Sequence, residues 1–178
     1  AWTDYPYTSP SSLPGGAERT ITIGGWSKGW AMTGWRLGWI TGPKRVMDGV
    51  KKINVSAATH IATFLMPAAA VALELHEETA MMAASFKERR GIIHGLLKEL
   101  PGIIVPEPEG AFYAFCDITG TGMSDIEFAT RALEEAKVQL IPGSLMEYGE
   151  GFVRISYATS AENIREGVHR LSVWLNSL

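Results

Sequence analysis

The stretch Ser27-Lys28-Gly29-Trp30-Ala31-Met32-Thr33-Gly34-Trp35-Arg36-Leu37-Gly38-Trp39 decides how the rest of the chain reads. It follows Thr20-Ile21-Thr22-Ile23, an alternating β-branched run that predicts a strand ended by Gly24-Gly25. Arg36 to Thr41 predicts a second strand. Between them lies a turn rich in Trp and Gly that carries one lysine. An isolated lysine is ordinarily a solvated surface residue. Lys28 stands apart because Trp26 and Trp30 flank it, and partial burial there would disfavour the ammonium form and present a free amine.

Gly25-Trp26-Ser27-Lys28-Gly29 supports two readings. As Gly-x-Ser-x-Gly it matches the strand-to-turn elbow that exposes a nucleophilic serine in α/β-hydrolases, with Asp117 or Asp125 and then His169 in triad order. That elbow runs directly into a helix, and Thr33-Gly34 interrupts one here. In the second reading Lys28, Ser27 and Arg36 form a cradle for pyridoxal 5'-phosphate. The amine forms a Schiff base with the aldehyde. Arg36, relieved of side-chain bulk by Gly34, grips the phosphate as a bidentate donor.

Outward from this segment, Pro43 starts a helix through Val46, Val50 and Ile53. Helical texture resumes over 62–78. A longer helix over 81–100 gathers Phe86, Ile93, Leu96, Leu97 and Leu100 on one side and ends at Pro101-Gly102. Residues 103–105 and 111–115 predict short strands around Pro106 and Pro108. Ser124 with Glu127 reads as a capping box that opens a helix to about residue 136. Residues 138–141 predict a strand, Pro142-Gly143 a turn, and 152–157 another strand. Ser160 caps a last helix reaching Trp174. The first half thus reads as part of an α/β layer and the second as α+β.

With 16 Lys+Arg against 19 Asp+Glu, the net charge of -3 argues against a nucleic-acid partner, which would need a basic face. The longest apolar stretch, 61–75, is broken by Thr63, Pro67 and Glu74 and falls short of the about 20 apolar residues of a membrane span, so no membrane partner is expected. The opening residues are polar and proline-rich, unlike a secretory signal. A lone cysteine, Cys116, allows no internal disulfide and fits a reducing, cytoplasmic setting; it reads as a buried small apolar side chain. His60, His76, His94 and His169 lack metal-ligand spacing, so no metal site is expected. The chain opens on Ala1 and a loop through Tyr5-Pro6-Tyr7 to Pro14-Gly15-Gly16, which fits a processed N-terminus or the remainder of something longer. The Trp26/Trp30 and Trp35/Trp39 pairs read as core packing. Tyr5, Tyr7 and Tyr113 are aromatics that could reach a cofactor.

The 27–39 segment resembles the cofactor-lysine signature of the class I/II pyridoxal-phosphate aminotransferases, the aspartate aminotransferase-like family. Pro108-Glu109-Gly110-Ala111-Phe112-Tyr113 is similar to that family's P-x-G-[AT]-F-Y strand. Pro142-Gly143-Ser144, followed by Gly149-Glu150-Gly151-Phe152-Val153-Arg154-Ile155-Ser156, is similar to its late PGS…G-x-G-x-[VI]-R-[IL]-[SC] segment. The three matches occur in family order and essentially span the chain. Two positions depart from the pattern. Gly25 stands where many relatives carry Ser or Thr as a phosphate ligand, and Leu145-Met146-Glu147 replaces the usual Phe-Gly after Pro142-Gly143-Ser144.

The resemblance implies an α/β fold: residues 1–85 as the end of a large mixed-sheet cofactor domain, a mostly parallel sheet carrying Lys28 and Arg36, and 86–178 as a small α+β C-terminal domain. It implies Lys28 as the Schiff-base lysine and proton carrier, Arg36 and Ser27 as phosphate ligands, and Arg154 as the clamp on the substrate α-carboxylate. The implied activity is transfer of an amino group from an amino acid to a 2-oxo acid, in a homodimer. It further implies that the chain is a C-terminal portion lacking upstream cofactor-binding residues, and poorly active alone. A β-lyase or an aminocyclopropane-carboxylate-synthase-like enzyme would share all these motifs. A non-catalytic fragment and, more remotely, the serine hydrolase remain as alternatives.

Overall fold

The computed structural model describes residues 2, 5 and 7–178. The opening loop read over residues 5–16 therefore lies in part, at Pro6, outside the described residues. The chain divides into two compact units: Pro6–Met81, and Met82–Leu178 together with Ala1–Tyr5.

The first unit begins with strand β1, Thr22–Gly25, a one-turn helix α1, Trp26–Gly29, and strand β2, Gly38–Thr41. β1 and β2 pair antiparallel, with Gly24 opposite Trp39 and Gly25 opposite Gly38. A parallel arrangement was expected here. The antiparallel one arises because the connection folds back on itself: the Trp26 N–H donates to the Leu37 carbonyl at 3.3 Å, returning the chain beside the point where it left. The glycines do not end β1; they lie within it. A Cβ on Gly24 would sit 2.3 Å from the Trp39 indole, so the ring occupies the space a side chain would need. β2 starts after Arg36 because that residue takes a left-handed conformation, with φ 54°.

Helix α2, Lys44–Ala57, starts one residue after Pro43, which forms its N-cap. Of the stripe read from the sequence, Val46 and Val50 are half-buried and Ile53 is 70% exposed. The helical texture beyond it resolves into a 3-10 turn, Thr63–Leu65, and helix α3, Met66–Ala72, with Pro67 in its first turn where a missing N–H costs nothing. Buried Met32, Leu37, Ala69 and Ala72, with Trp26, Trp30 and Leu65 packed against them, make this unit's small core.

Helix α4, His76–Leu97, begins earlier than its sequence suggested, with Glu77 and Glu78 in the first turn where the helix dipole favours negative charge. The boundary between the units falls within it. The second unit then adds strand β3, Tyr113–Asp117, helix α5, Asp125–Glu134, strand β4, Ile141–Pro142, strand β5, Phe152–Ser156, and helix α6, Ala161–Leu175. The sheet order is β3-β5-β4, antiparallel throughout. The strand expected at 103–105 reduces to a single bridge between Ile104 and Asp117. The one expected at 138–141 shrinks to two residues, Ile141 and Pro142, on the edge of the sheet beside β5, where a proline is tolerated. Ser124 Oγ accepts the Glu127 N–H, and Ser160 Oγ accepts the Asn163 N–H, so both helix caps form where they were read.

This unit's core follows from periodicity. Ala114 and Cys116 of β3 and Val153 and Ile155 of β5 face inward. Against them pack Ile93 and Leu97 of α4, Phe128 and Ala132 of α5, and Ile164, Val168, Leu171 and Trp174 of α6, at the spacing of single helical faces. Phe128 meets Trp174 edge-on at 5.1 Å. Among the described residues no helix is long and apolar enough to cross a membrane.

Phe128 has no exposed area. Phe128→Ala is expected to lose about 3–5 kcal/mol of stability. Ile53→Ala should change it by less than about 0.5 kcal/mol. Guanidinium denaturation of each variant reads both. The acid side gives a second expectation. Ser144, whose backbone N–H donates to the Asp125 carboxylate at 2.7 Å, holds that carboxyl below the usual carboxylate range against the pull of burial. Arg131 and then Trp174 do the same for Glu135. A depressed folded-state carboxyl stabilises above its unfolded value, and the contribution fades as pH falls through the folded one. Stability should therefore decline progressively below about pH 4, and Asp125→Asn should flatten that decline in denaturation midpoints followed down to about pH 2.

Candidate active site

The loop from Trp26 to Leu37 is held by its own backbone. Besides the closure between Trp26 and Leu37, the Trp26 carbonyl accepts the N–H groups of Trp30 and Met32, both at 3.3 Å, and the Met32 carbonyl accepts that of Trp35 at 3.2 Å. The Trp26 indole N–H reaches the Ala69 carbonyl at 3.0 Å and ties the loop to α3. Ser27 and Arg36 are each one residue from the closing hydrogen bond, and Lys28 is the next residue along. The Trp26–Leu37 closure thus brings the hydroxyl, the amine and the guanidinium onto one small loop.

Ser27 is half-buried, while Lys28 and Arg36 are exposed. The partial burial expected of Lys28 is absent because the flanking indoles pack toward Met32, Leu37, Ala69 and Ala72 and leave the lysine outside. Trp26 and Trp30 are thus core residues, with ring centroids 6.3 Å apart, as their spacing suggested. Trp35 and Trp39 are instead 43% and 42% exposed. Arg36 combines a left-handed backbone, uncommon for a residue with a side chain, with a hydrogen bond from Nη1 to the Thr33 carbonyl at 2.7 Å. Strain of this kind concentrates where a side chain must be aimed. Gly34 relieves no clash within this chain, since a Cβ there would meet nothing within 4 Å. Gly25 does have a local reason: a Cβ would sit 3.0 Å from the Leu37 carbonyl oxygen, at the point where the loop closes.

Arg154 lies in the second unit, half-buried, at the middle of β5 with Phe115 of β3 on one side and Ile141 of β4 on the other. Its Cζ stands 4.5 Å from the centre of the Tyr113 ring, and its Nη1 lies 3.8 Å from the Met146 sulfur. Met146 belongs to the segment that departs from the family pattern, so that departure reaches the guanidinium directly. The glycines of the late motif have a steric cause. A Cβ on Gly143 would fall 2.0 Å from the Gly149 carbonyl, and one on Gly149 would fall 2.3 Å from the Gly143 carbonyl, because the two backbones cross in contact. The turn Gly143–Leu145 is anchored by the Ser144 N–H donating to the buried Asp125 carboxylate at 2.7 Å. From residue order alone Asp125 has only a place in the hydrolase triad; its position just after the Ser124 cap is the signal for a structural acid.

Tyr5 and Tyr7 are both 84% exposed, whereas Tyr113 is half-buried beneath Arg154. Cys116 is fully buried, and burial pushes its thiol up to about 12, far from a reactive thiolate. The acids of the hydrolase reading are both engaged locally: Asp125 with Ser144, and Asp117 with the Thr119 N–H and hydroxyl. α1 is also too short to be the helix that follows a nucleophile elbow. Among the described residues no three His, Cys, Asp or Glu side chains gather as a metal site.

The chain matches the family model for aminotransferase class I and II over residues 5–171. It is 43% identical to an aspartate aminotransferase of Pyrococcus horikoshii over 158 residues, covering 86% of this chain and 40% of that protein. It is 41% identical to aromatic-amino-acid aminotransferase 2 of Thermococcus litoralis, covering 92% of this chain and 43% of that one. The crystal structure of an aromatic aminotransferase from Pyrococcus horikoshii superposes with a TM-score of 0.94 at 38% identity, covering 99% of this chain and 48% of the other. The chain therefore spans less than half the length of each of these relatives. Members of the matching family use pyridoxal phosphate. A match of this extent, on a fold shared at this identity, has one meaning: the chain belongs to the class I and II aminotransferases.

Proposed function

We propose that the chain is the C-terminal portion of an enzyme that moves an amino group from an amino acid to a 2-oxo acid with pyridoxal phosphate. In this reading residues 1–85 end the large cofactor domain and 86–178 form the small domain. The observation that carries it is the closure between Trp26 and Leu37, which gathers an amine, a hydroxyl and a guanidinium on one loop. That donor set fits an aldehyde bearing a phosphate ester. Lys28 would take the carbonyl carbon, and Arg36 with Ser27 the phosphate oxygens. When bound, the cofactor supplies the electron sink that makes the α-C–H of an amino acid acidic.

The chain's own residues supply the rest. Lys28 Nζ is the proton carrier: as a free amine it accepts the α-proton, and as an ammonium it returns one. Its exposure leaves it reachable by a substrate. Arg154 pairs through its planar fork with the α-carboxylate, fixing which bond at the α-carbon is presented for cleavage. An amino acid and the matching 2-oxo acid carry the same carboxylate, so one guanidinium serves both directions. A cytoplasmic homodimer completes the reading. The single, buried Cys116, which forms no internal disulfide, fits the reducing compartment, and the family match supports the dimer.

Borohydride reduction of the chain in the presence of pyridoxal phosphate, followed by peptide mapping, is expected to place the label on Lys28. Lys28→Ala should abolish that label. Arg36→Ala should raise the cofactor concentration needed for half-maximal labelling roughly tenfold. Label scattered over many lysines would remove the assignment. In a transamination assay the chain alone should show little turnover, and full turnover would contradict the reading of it as a portion.

A further inference from the structure

We infer that Tyr113 is a positioning residue for Arg154, its ring serving as the platform that holds the guanidinium where a carboxylate can meet it. The inference rests on the role proposed for Arg154 and adds the residue that makes the role possible.

Alternation along β3 and β5 divides the sheet into two faces. Ala114, Cys116, Val153 and Ile155 face the core. Tyr113, Phe115, Phe152 and Arg154 share the opposite face, an aromatic surface with one cation set in it. Phe115 lies directly across from Arg154, yet it stacks on Phe152 at 5.0 Å with planes 9° apart. The diagonal neighbour Tyr113 is left to take the guanidinium, and it does so at 4.5 Å, well inside the about 6 Å reach of a cation–π contact.

Several arginines elsewhere in this unit are neutralised by carboxylates. Arg90 is paired with Glu107, Arg131 with Glu135 and Arg170 with Glu166. Among the described residues Arg154 is in no ion pair. A half-buried guanidinium that rests on a ring and a thioether, with no carboxylate, keeps its hydrogen-bonding fork available to an anion from outside. The ring restrains a long side chain that otherwise has many rotamers, and it does so without neutralising the charge.

The platform itself is fixed. Ala111 takes a left-handed backbone, φ 58°, which is unusual for a residue with a Cβ. Its carbonyl accepts two hydrogen bonds, from the Trp2 indole N–H and the hydroxyl of fully buried Tyr157, each at 3.0 Å. Those bonds hold the strained turn that leads into β3. The Phe112 ring then abuts Tyr113 at 4.5 Å. Nothing in this arrangement uses the Tyr113 hydroxyl to hold Arg154; the ring face does the work.

The test uses the 178-residue chain, with sodium 2-oxoglutarate as the probe and NMR of the arginine side chains as the readout. In the wild type, the Arg154 side-chain signals should be displaced upfield by the Tyr113 ring current and should shift on titration with 2-oxoglutarate. Tyr113→Phe should preserve both effects. Tyr113→Leu should lose the ring-current displacement and bind 2-oxoglutarate roughly three- to tenfold more weakly. Phenylalanines of increasing fluorine content at position 113 keep the shape while draining the π face. Affinity should fall stepwise along that series, which a purely structural role would not produce and which stands even if Tyr113→Leu does not fold. Unchanged affinity across the fluorinated series would overturn the inference and leave Arg154 as the carboxylate clamp. No response of the wild-type Arg154 signals to 2-oxoglutarate would instead remove the clamp itself, and the platform's purpose with it.

Discussion

The register that sets Phe115 of β3 opposite Arg154 of β5 is the constraint on which the second unit depends. Side chains alternate along a strand, so one pairing decides both faces together. In this register four small or branched apolar residues turn inward to meet α4, α5 and α6. The same step turns Tyr113, Phe115, Phe152 and Arg154 outward. A slip of one residue would bury the guanidinium among apolar side chains and expose the core strip. The core therefore locks the site: the apolar burial that stabilises the unit also holds Arg154 on its aromatic face.

The first unit works by a different economy. Its core is four buried residues with two indoles and a leucine laid against them. What shapes the lysine loop is a set of backbone hydrogen bonds between Trp26 and Leu37 and the indole bond to Ala69. The tryptophans turn inward to serve that core, and this leaves Lys28 on the outside. Arg36 sits at the hinge of the closure in a left-handed conformation that its bond to Thr33 sustains. The chemistry proposed for this loop requires three donors close together in sequence, and a short closed loop supplies them without a large scaffold.

Much of this was legible beforehand. Helix caps at Ser124 and Ser160, the helices they open, and strands near 113 and 152 follow from local rules that operate over a few residues. Errors gathered where a local pattern met a longer-range demand. The two glycines read as the end of β1 are strand residues because the Trp39 ring needs the space above Gly24. The antiparallel pairing of β1 and β2 came from a hydrogen bond spanning the whole loop. Asp125, which the sequence offered only as one of two acids available to the remote hydrolase alternative, is the anchor of the turn at Ser144, a partner on a different element.

The sequence by itself determined the donor inventory, the order of the elements and the family resemblance, because amine, guanidinium, cap and period are properties of residue type and spacing. Only the tertiary structure decided that Lys28 is exposed, that the backbones at Gly143 and Gly149 cross in contact, and that Arg154 lies over Tyr113. Each of these depends on segments far apart along the chain being packed together. Burial, close approach and ring stacking are created by that packing, and no stretch of residues read alone contains them.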